Sequence, residues 1–297
     1  MAIVETRSTL RWKLLAAHAA LIIAALVVAF PFLMIISISL RPGNFTTGQL
    51  IPEHLSLEHW KLALGISYID TDGQLVVPPF PVLTWIWNSL KVATISATVC
   101  LVLSITAAYA FARMKFRGRG PLLRALLLFQ MFPSVLALVA IYTLFDRVGE
   151  LVPWLGLNSH WSLALSYTGG VALWIWLIKG YFDSVPIELE EAAAVDGATR
   201  FQAMVHILLP MALPILVVVF ALAFLTAMIE YPIASVLMHD QDRLTLAVGS
   251  QQFLFDQRYL WGDFAAAAIL AGLPLTLLFL VTQKWLVSGL TSGGVKD

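Results

Sequence analysis

Six long stretches of this chain carry no Asp, Glu, Lys or Arg: 14–40, 92–112, 125–145, 151–178, 201–229 and 264–283. Each reaches the roughly 20 residues that cross a bilayer core as helix. A backbone in lipid has no water to bond to, so it must satisfy its own N–H and C=O groups, which leaves helices or a closed barrel. The alternating pattern of barrel strands is absent. The sequence therefore predicts an all-α integral membrane chain with six transmembrane helices, at about 14–38, 85–112, 122–145, 161–181, 208–231 and 263–286. Only 12% of the residues are charged, against about 25% in soluble domains, so most of the outer surface faces lipid. A net charge of zero gives no attraction for nucleic acid. The one cysteine, Cys100, excludes an internal disulfide or Cys-rich metal cluster and reads as a packing residue. The scattered histidines lack metal-ligand spacing.

The first span follows Arg7, Arg11 and Lys13, as a signal peptide would. A signal h-region is only about 7–15 residues long, however, and this run is longer with no small-residue cleavage site, so it reads as a retained anchor. Arg113, Lys115, Arg117, Arg119 and Arg124 crowd the connection between the second and third spans, while the opposite connections are sparse in basic residues. The positive-inside rule then places both termini in the cytoplasm. Trp60, Trp85, Trp87, Trp154, Trp161 and Trp261 are expected near the outer face as an interfacial belt.

Two outer segments are long. In 41–84, Ser56 is a candidate cap for a short helix with Leu57, Trp60 and Leu64 on one face. The segment 232–262 shows little helical pattern. Its expected tip, Phe253, Leu254, Phe255, Asp256 and Gln257, sets apolar residues beside an acid and an amide. Such a tip suits either a lipid surface or a partner.

The inner segment 182–210 has the densest local punctuation. Ser184 is a candidate N-cap for the alanine-rich run Glu190-Glu191-Ala192-Ala193-Ala194-Val195. Gly197 stands where that helix should end in a left-handed cap. Thr199 and Gln202 have capping-box spacing for a second short helix, and Pro210 follows at the entrance to the fifth span. Such a helix–turn–helix fits either a lever docking into a soluble partner or an amphipathic interfacial loop. No Gly-x-x-x-x-Gly-Lys-Ser/Thr phosphate loop occurs in the chain.

The spacing of Glu191, Ala192, Ala193, Gly197, Ile207, Leu209 and Pro210 resembles the coupling loop of ABC-importer permeases. Further likeness, to the smaller permeases of maltose and maltodextrin importers, lies in Ser39 to Phe45, Pro78 to Val92, Tyr109 to Met114, Phe129 to Pro133, Tyr259 to Phe264 and Leu286 to Lys296. The resemblance implies a type I importer fold without catalytic, metal or cofactor residues. It makes 182–210 the loop held by an ATPase subunit. It implies as partners a larger permease (MalF), two copies of an ATPase (MalK) and a periplasmic maltose-binding protein. It also implies that a tail at 287–297, with Thr291, Gly293, Gly294 and Lys296, reaches the ATPases, and that Phe253 to Gln257 meets the binding protein. The organisation expected is a cytoplasmic segment 1–13, a permease domain 14–286 and the cytoplasmic tail.

Glu230 at the end of the fifth span reads as a pathway carboxylate or a headgroup-level residue. Asn88, Gln130, Ser134, Tyr142 and Tyr167 read as a polar path or as interhelical hydrogen bonds, and the resemblance favours packing. The competing readings are a permease for another sugar such as trehalose, and an ion-gradient transporter. The second calls for inverted repeats and broken helices, for which the sequence shows no sign.

Overall fold

The structure, a computed structural model, describes residues 7–45, 49–70, 72–255 and 258–292. In chain order its helices are α1 (Arg7–Ser39), α2 (Glu58–Ala63), α3 (Val82–Arg113), α4 (Arg119–Gln130), α5 (Leu138–Leu151), α6 (His160–Ser166), α7 (Val171–Ser184), α8 (Glu188–Val195), α9 (Arg200–Ala203), α10 (Leu209–Met211), α11 (Leu213–Ile229), α12 (Pro232–Leu237), α13 (Leu246–Gly249) and α14 (Trp261–Ser292). Two antiparallel strand pairs interrupt this helical chain: β1 (Tyr68–Ile69) with β2 (Leu75–Val76), and β3 (Leu254–Phe255) with β4 (Arg258–Tyr259).

Helical stretches long and apolar enough to cross a membrane run over Trp12–Ser39, Val82–Arg113, His160–Ser184 and Trp261–Trp285. Two further stretches are broken. Arg119–Gln130 meets Ser134–Leu151 at 85°, and Arg200–Met211 meets Leu213–Ile229 at 78°. The expected single span at 122–145 is thus a bent pair, the one at 208–231 is bent near its start and runs on as α11, and the cause of both bends is proline. Pro133 is extended (φ −62°, ψ 117°); proline has no N–H to donate and disfavours helix in the residue before it. At the second bend, Pro210 and Pro214 remove two donors around Ala212.

The chain packs as two units, 1–80 with 253–270 and 81–252 with 271–297. In the first, α2 buries His59, Leu62 and Ala63. Leu57 and Leu64 are exposed, so the buried face is not the expected one. His59 decides this, because its ring is held on both sides. Nδ1 lies 2.6 Å from Asp263 Oδ1, and Nε2 lies 3.1 Å from the Gly43 carbonyl. A Cβ at residue 262 would come within 2.1 Å of the His59 ring, which requires glycine there. Ser56 is not the N-cap, a place held by Leu57; its Oγ accepts from the Glu58 N–H at 3.2 Å.

The core of the second unit surrounds α3. Ala93, Ala97, Cys100, Ser104 and Ala108 form a buried stripe of small residues at helical spacing, which lets neighbouring backbones approach closely. Ala223, Phe224, Ala227 and Met228 of α11 pack on its first part, with Ala93, Ala97 and Cys100. Ile175, Ile178 and Phe182 of α7 pack on its last part, with Ala108, Tyr109 and Phe111. Trp85 is fully buried and donates from Nε1 to the Gln241 carbonyl at 2.8 Å, so it leaves the expected interfacial belt. The stretch 232–253 carries α12, α13 and two short 3-10 turns, more helix than its sequence pattern suggested.

Candidate functional site

The segment 182–210 starts where α7 stops. Ser184 is the last residue of α7 and donates to the Tyr181 carbonyl at 2.7 Å, so it does not cap α8. Val185 is extended ahead of Pro186, and α8 begins after Ile187. Glu188, Glu190 and Glu191 fill the first turn of α8, where the helix dipole favours negative charge. The helix closes in a Schellman motif. The Ala198 N–H donates to the Ala193 carbonyl at 2.9 Å and the Gly197 N–H to the Ala194 carbonyl at 3.1 Å. Gly197 has φ +90° with open space around it, so the requirement for glycine there is conformational. Thr199 then opens α9 with a complete capping box: Thr199 Oγ1 accepts from the Gln202 N–H, and Gln202 Oε1 accepts from the Thr199 N–H at 2.8 Å.

Behind these helices the segment is anchored. Arg113, the last residue of α3, donates from Nε to Glu190 Oε1 at 2.5 Å and from a terminal nitrogen to the Val185 carbonyl at 2.9 Å. Both side chains of this ion pair are only 10% exposed. The Tyr109 hydroxyl lies 3.3 Å from both Glu190 Oε2 and the Arg200 carbonyl, touching α8 and α9 together. After α9 a π-helical stretch, Met204–Leu208, turns Met204 and Leu208 into the core cluster of α3 and α7. The sequence pattern points to Glu191, which is exposed, whereas its half-buried neighbour Glu190 makes the contact.

Ala192 is exposed, Ala193, Ile207 and Leu209 are half-buried, and Pro210 is exposed at the bend into α11. On the free side of the segment Val195 is 88% and Phe201 69% exposed. The segment thus has an ion-paired base, a Schellman stop and a capping box between its short helices, and two exposed apolar side chains close in sequence to Glu191, Asp196 and Arg200.

The other expected sites fall elsewhere. Phe253 is buried, edge-on to Phe80 with ring centroids 4.9 Å apart, so it is not part of an exposed tip. Leu254 is half-buried, Phe255 pairs with Arg258 in β3–β4, and Asp256 and Gln257 lie outside the described residues. Thr291 lies in α14, while Gly293, Gly294 and Lys296 lie outside the described residues. Glu230 acts as a helix cap: its carboxylate accepts from the Ile233 N–H at 2.7 Å and the Ala234 N–H at 3.1 Å. Asn88 donates to the carbonyls of Asp242 and Leu244, each at 2.9 Å. Gln130 donates to the Gly170 carbonyl and accepts from the Leu173 N–H. Glu230, Asn88 and Gln130 are therefore tied to backbone.

Residues 100–292, which contain the whole segment, match the family described as binding-protein-dependent transport system inner membrane component. The chain is 58% identical to the maltose/maltodextrin transport system permease protein MalG of Photorhabdus laumondii, 56% to that of Vibrio parahaemolyticus and 55% to that of Escherichia coli, with all of both chains covered each time. In fold it is similar to a chain of a bacterial ABC transporter involved in the import of the acidic polysaccharide alginate, with a TM-score of 0.76 at 20% identity, covering 95% of this chain and 99% of that one. It is also similar to a chain of the MetNI methionine ABC transporter, with a TM-score of 0.54 at 18% identity, covering 70% and 95%. A helical membrane chain with an ion-paired helix–turn–helix inside the matched region is thereby placed: it belongs to the family of inner membrane components of binding-protein-dependent transport systems.

Proposed function

We propose that the chain is the smaller permease subunit of an importer for maltose and maltodextrins, and that 188–203 is the element through which a separate ATPase drives it. The relatives aligned over their full length support the sugar class. The observation that carries the docking reading is the pairing of exposed apolar side chains, Val195 and Phe201, with an ion-paired base, Glu190 and Arg113, whose side chains are only 10% exposed. Apolar side chains bracketed by charges suit neither lipid nor open water, but they suit a groove on a soluble subunit. In this reading Glu191, Ala192, Ala193 and Gly197 form the docked surface. Ile207, Leu209 and Pro210 pass its movement into α11.

The partners in this reading are the larger permease MalF, two copies of MalK and a periplasmic maltose-binding protein. Both termini are cytoplasmic, with 1–13 and the tail 287–297 flanking a permease domain over 14–286. Thr291, Gly293, Gly294 and Lys296 of the tail approach the ATPases. With Phe253 buried, Leu254, Phe255, Asp256 and Gln257 remain to meet the binding protein.

The test is uptake into vesicles holding the reconstituted complex. Import of labelled maltose and maltotriose is expected only with ATP and binding protein present, and cysteines at Val195 and Phe201 should crosslink to the ATPase. Import of trehalose alone would overturn the sugar assignment. Import driven by an ion gradient without ATP would overturn the mechanism.

A further inference from the structure

At the end of α3 remote from Arg113, a cleft of about 630 Å³ opens between α3 and the loops 153–161 and 240–243. Lys91, Ile95, Trp154, Trp161, Asp240 and Arg243 line it. Its walls are held by specific contacts. Asn158 adopts a left-handed conformation (φ 58°), which asparagine enters more readily than most residues. From there its side-chain oxygen accepts from the His239 N–H at 2.6 Å and the Asp240 N–H at 3.0 Å. Ser159 donates to the Trp154 carbonyl and accepts from the Trp161 N–H, and the two indoles meet edge to face with centroids 6.4 Å apart. His160 Nε2 lies 2.9 Å from the Arg243 carbonyl and ties the second loop to α6.

The charges in this cleft are not balanced within the chain. Among the described residues the Lys91 ammonium has no ion pair or hydrogen bond, and the Arg243 guanidinium makes one long contact, 3.4 Å to the Asn158 carbonyl. Asp240 is the one acid among the lining residues, so two cations face one carboxylate. A cation on a membrane helix calls for an anion. The surroundings fix what kind. Trp154 and Trp161 are 60% and 50% exposed, and indoles settle at the headgroup level of a bilayer. Ile95 lines the cleft about one turn, roughly 6 Å, further along α3 than Lys91. The cleft therefore combines indoles and cations with an apolar wall at Ile95.

We propose that this cleft binds the phosphodiester headgroup of a monoanionic phospholipid, with Lys91 and Arg243 on the phosphate and an acyl chain leaving past Ile95. One negative charge balances the excess of one positive charge. The indoles cover the glycerol ester region, where amphipathic rings are at home. A free phosphate would share the two cations but would leave the apolar wall unused.

The test takes the assembly purified through a tag on this chain, strips it of lipid in detergent and titrates it while recording native mass spectra. Titrants are phosphatidylglycerol, phosphatidylcholine and inorganic phosphate; the same spectra report subunit composition. In the Lys91→Gln, Arg243→Gln double variant one phosphatidylglycerol per chain should be lost or weakened about tenfold or more, with subunit composition unchanged. Lys91→Arg should retain it, and neither phosphatidylcholine nor millimolar phosphate should compete. In the unaltered chain a photoreactive phosphatidylglycerol should label 91–95 and 154–161, a readout that stands even where the double variant does not assemble. An unchanged titration in the double variant, displacement of the lipid by phosphate, or labelling confined to other segments overturns the proposal. So does zero-length crosslinking of Lys91 to a carboxylate of a partner subunit.

Discussion

Replacing Glu190 with alanine strikes the base of the 188–203 segment while leaving its exposed face unchanged. Arg113 would keep its bond to the Val185 carbonyl but lose its counter-ion, and Tyr109 would lose one of its two acceptors. Removing one partner of a buried ion pair costs about 3–5 kcal/mol. The pair is half-buried, with side chains 10% exposed, and Arg113 keeps a neutral acceptor, so at most the low end, about 3 kcal/mol, applies. At about 1.4 kcal/mol per factor of ten, transient detachment of α8 and α9 should become about 100-fold more populated. Amide hydrogen exchange reads this directly. The Gly197 and Ala198 N–H groups should exchange about 100-fold faster, while amides in the α3–α11 core stay unchanged. Glu190→Gln keeps an acceptor and loses the charge, so it should fall between the two. An Arg113→Leu, Glu190→Ala double variant should lose less than the sum of the single losses, because the uncompensated charge is gone. In vesicles, ATP hydrolysis should outlast import, since a loose lever is pushed without moving the spans. Unchanged exchange in Glu190→Ala, or single losses that add to within about 0.5 kcal/mol, would show that the pair does not anchor the segment.

Four further outcomes follow from particular contacts. Gly197→Val strains the left-handed cap by about 1 kcal/mol or more without any clash, so import should fall with membrane insertion intact, and Gly197→Asn should restore much of it. Burial lowers the pKa of His59, but the hydrogen bond and charge of Asp263, with the Glu58 charge and the Gly43 carbonyl, raise it above 6.5 overall. Both ring nitrogens face acceptors, which suits the imidazolium; its stabilisation is complete below about pH 6.5 and is lost as pH rises through the folded pKa. Limited proteolysis within 49–63 should therefore quicken from neutral to alkaline pH, and His59→Gln should flatten that dependence. In Gly249→Ala the new Cβ would sit 2.3 Å from the buried Trp85 ring, so thermal unfolding in detergent should show a loss of about 1–3 kcal/mol. With Cys100 replaced, a cysteine at Arg117 should be shielded from an impermeant thiol reagent in intact cells and one at Asp72 labelled; the reverse pattern overturns the orientation.

What could be read ahead of the structure was whatever short-range chemistry determines. Charge-free runs mark apolar helices because every residue in lipid bears the same constraint. Gly197, Thr199 and Gln202 mark two helix ends because caps involve residues only a few positions apart. The contacts that position the segment are of another kind. Arg113 and Glu190 are 77 residues apart, and nothing in the local pattern of either names the other. The same limit explains Trp85, whose amphipathic ring suits an interface until Gly249, far along the chain, opens space for it. Phe253 resembles an exposed tip until Phe80 and Phe264 close over it. Glu230 drew attention as a carboxylate at the end of a span, and its use, capping α12 across the Pro232 break, became visible only with the turn in place.

The broken spans bear on mechanism as well. The sequence shows no sign of the discontinuous helices that an ion-gradient transporter calls for, yet the structure has two bent pairs. Their setting argues against that reading. Discontinuous backbone at membrane depth is tolerated where protein or a water-filled cavity surrounds it, and open lipid cannot satisfy it. At the first break the amides of Met131 and Phe132 turn back onto Leu128 and Phe129, and Gln130 latches the turn to Gly170 and Leu173. The other side is bare: Phe129, Met131 and Phe132 are 78%, 79% and 60% exposed. A transporter complete in one chain would close its breaks internally. Here the break and its large apolar side chains lie on the surface, which is the arrangement of a subunit whose pathway is completed by a second membrane chain. The second break follows the π-helical stretch from the 188–203 segment; in the coupling proposed above, a push on α8 would be delivered at this bend.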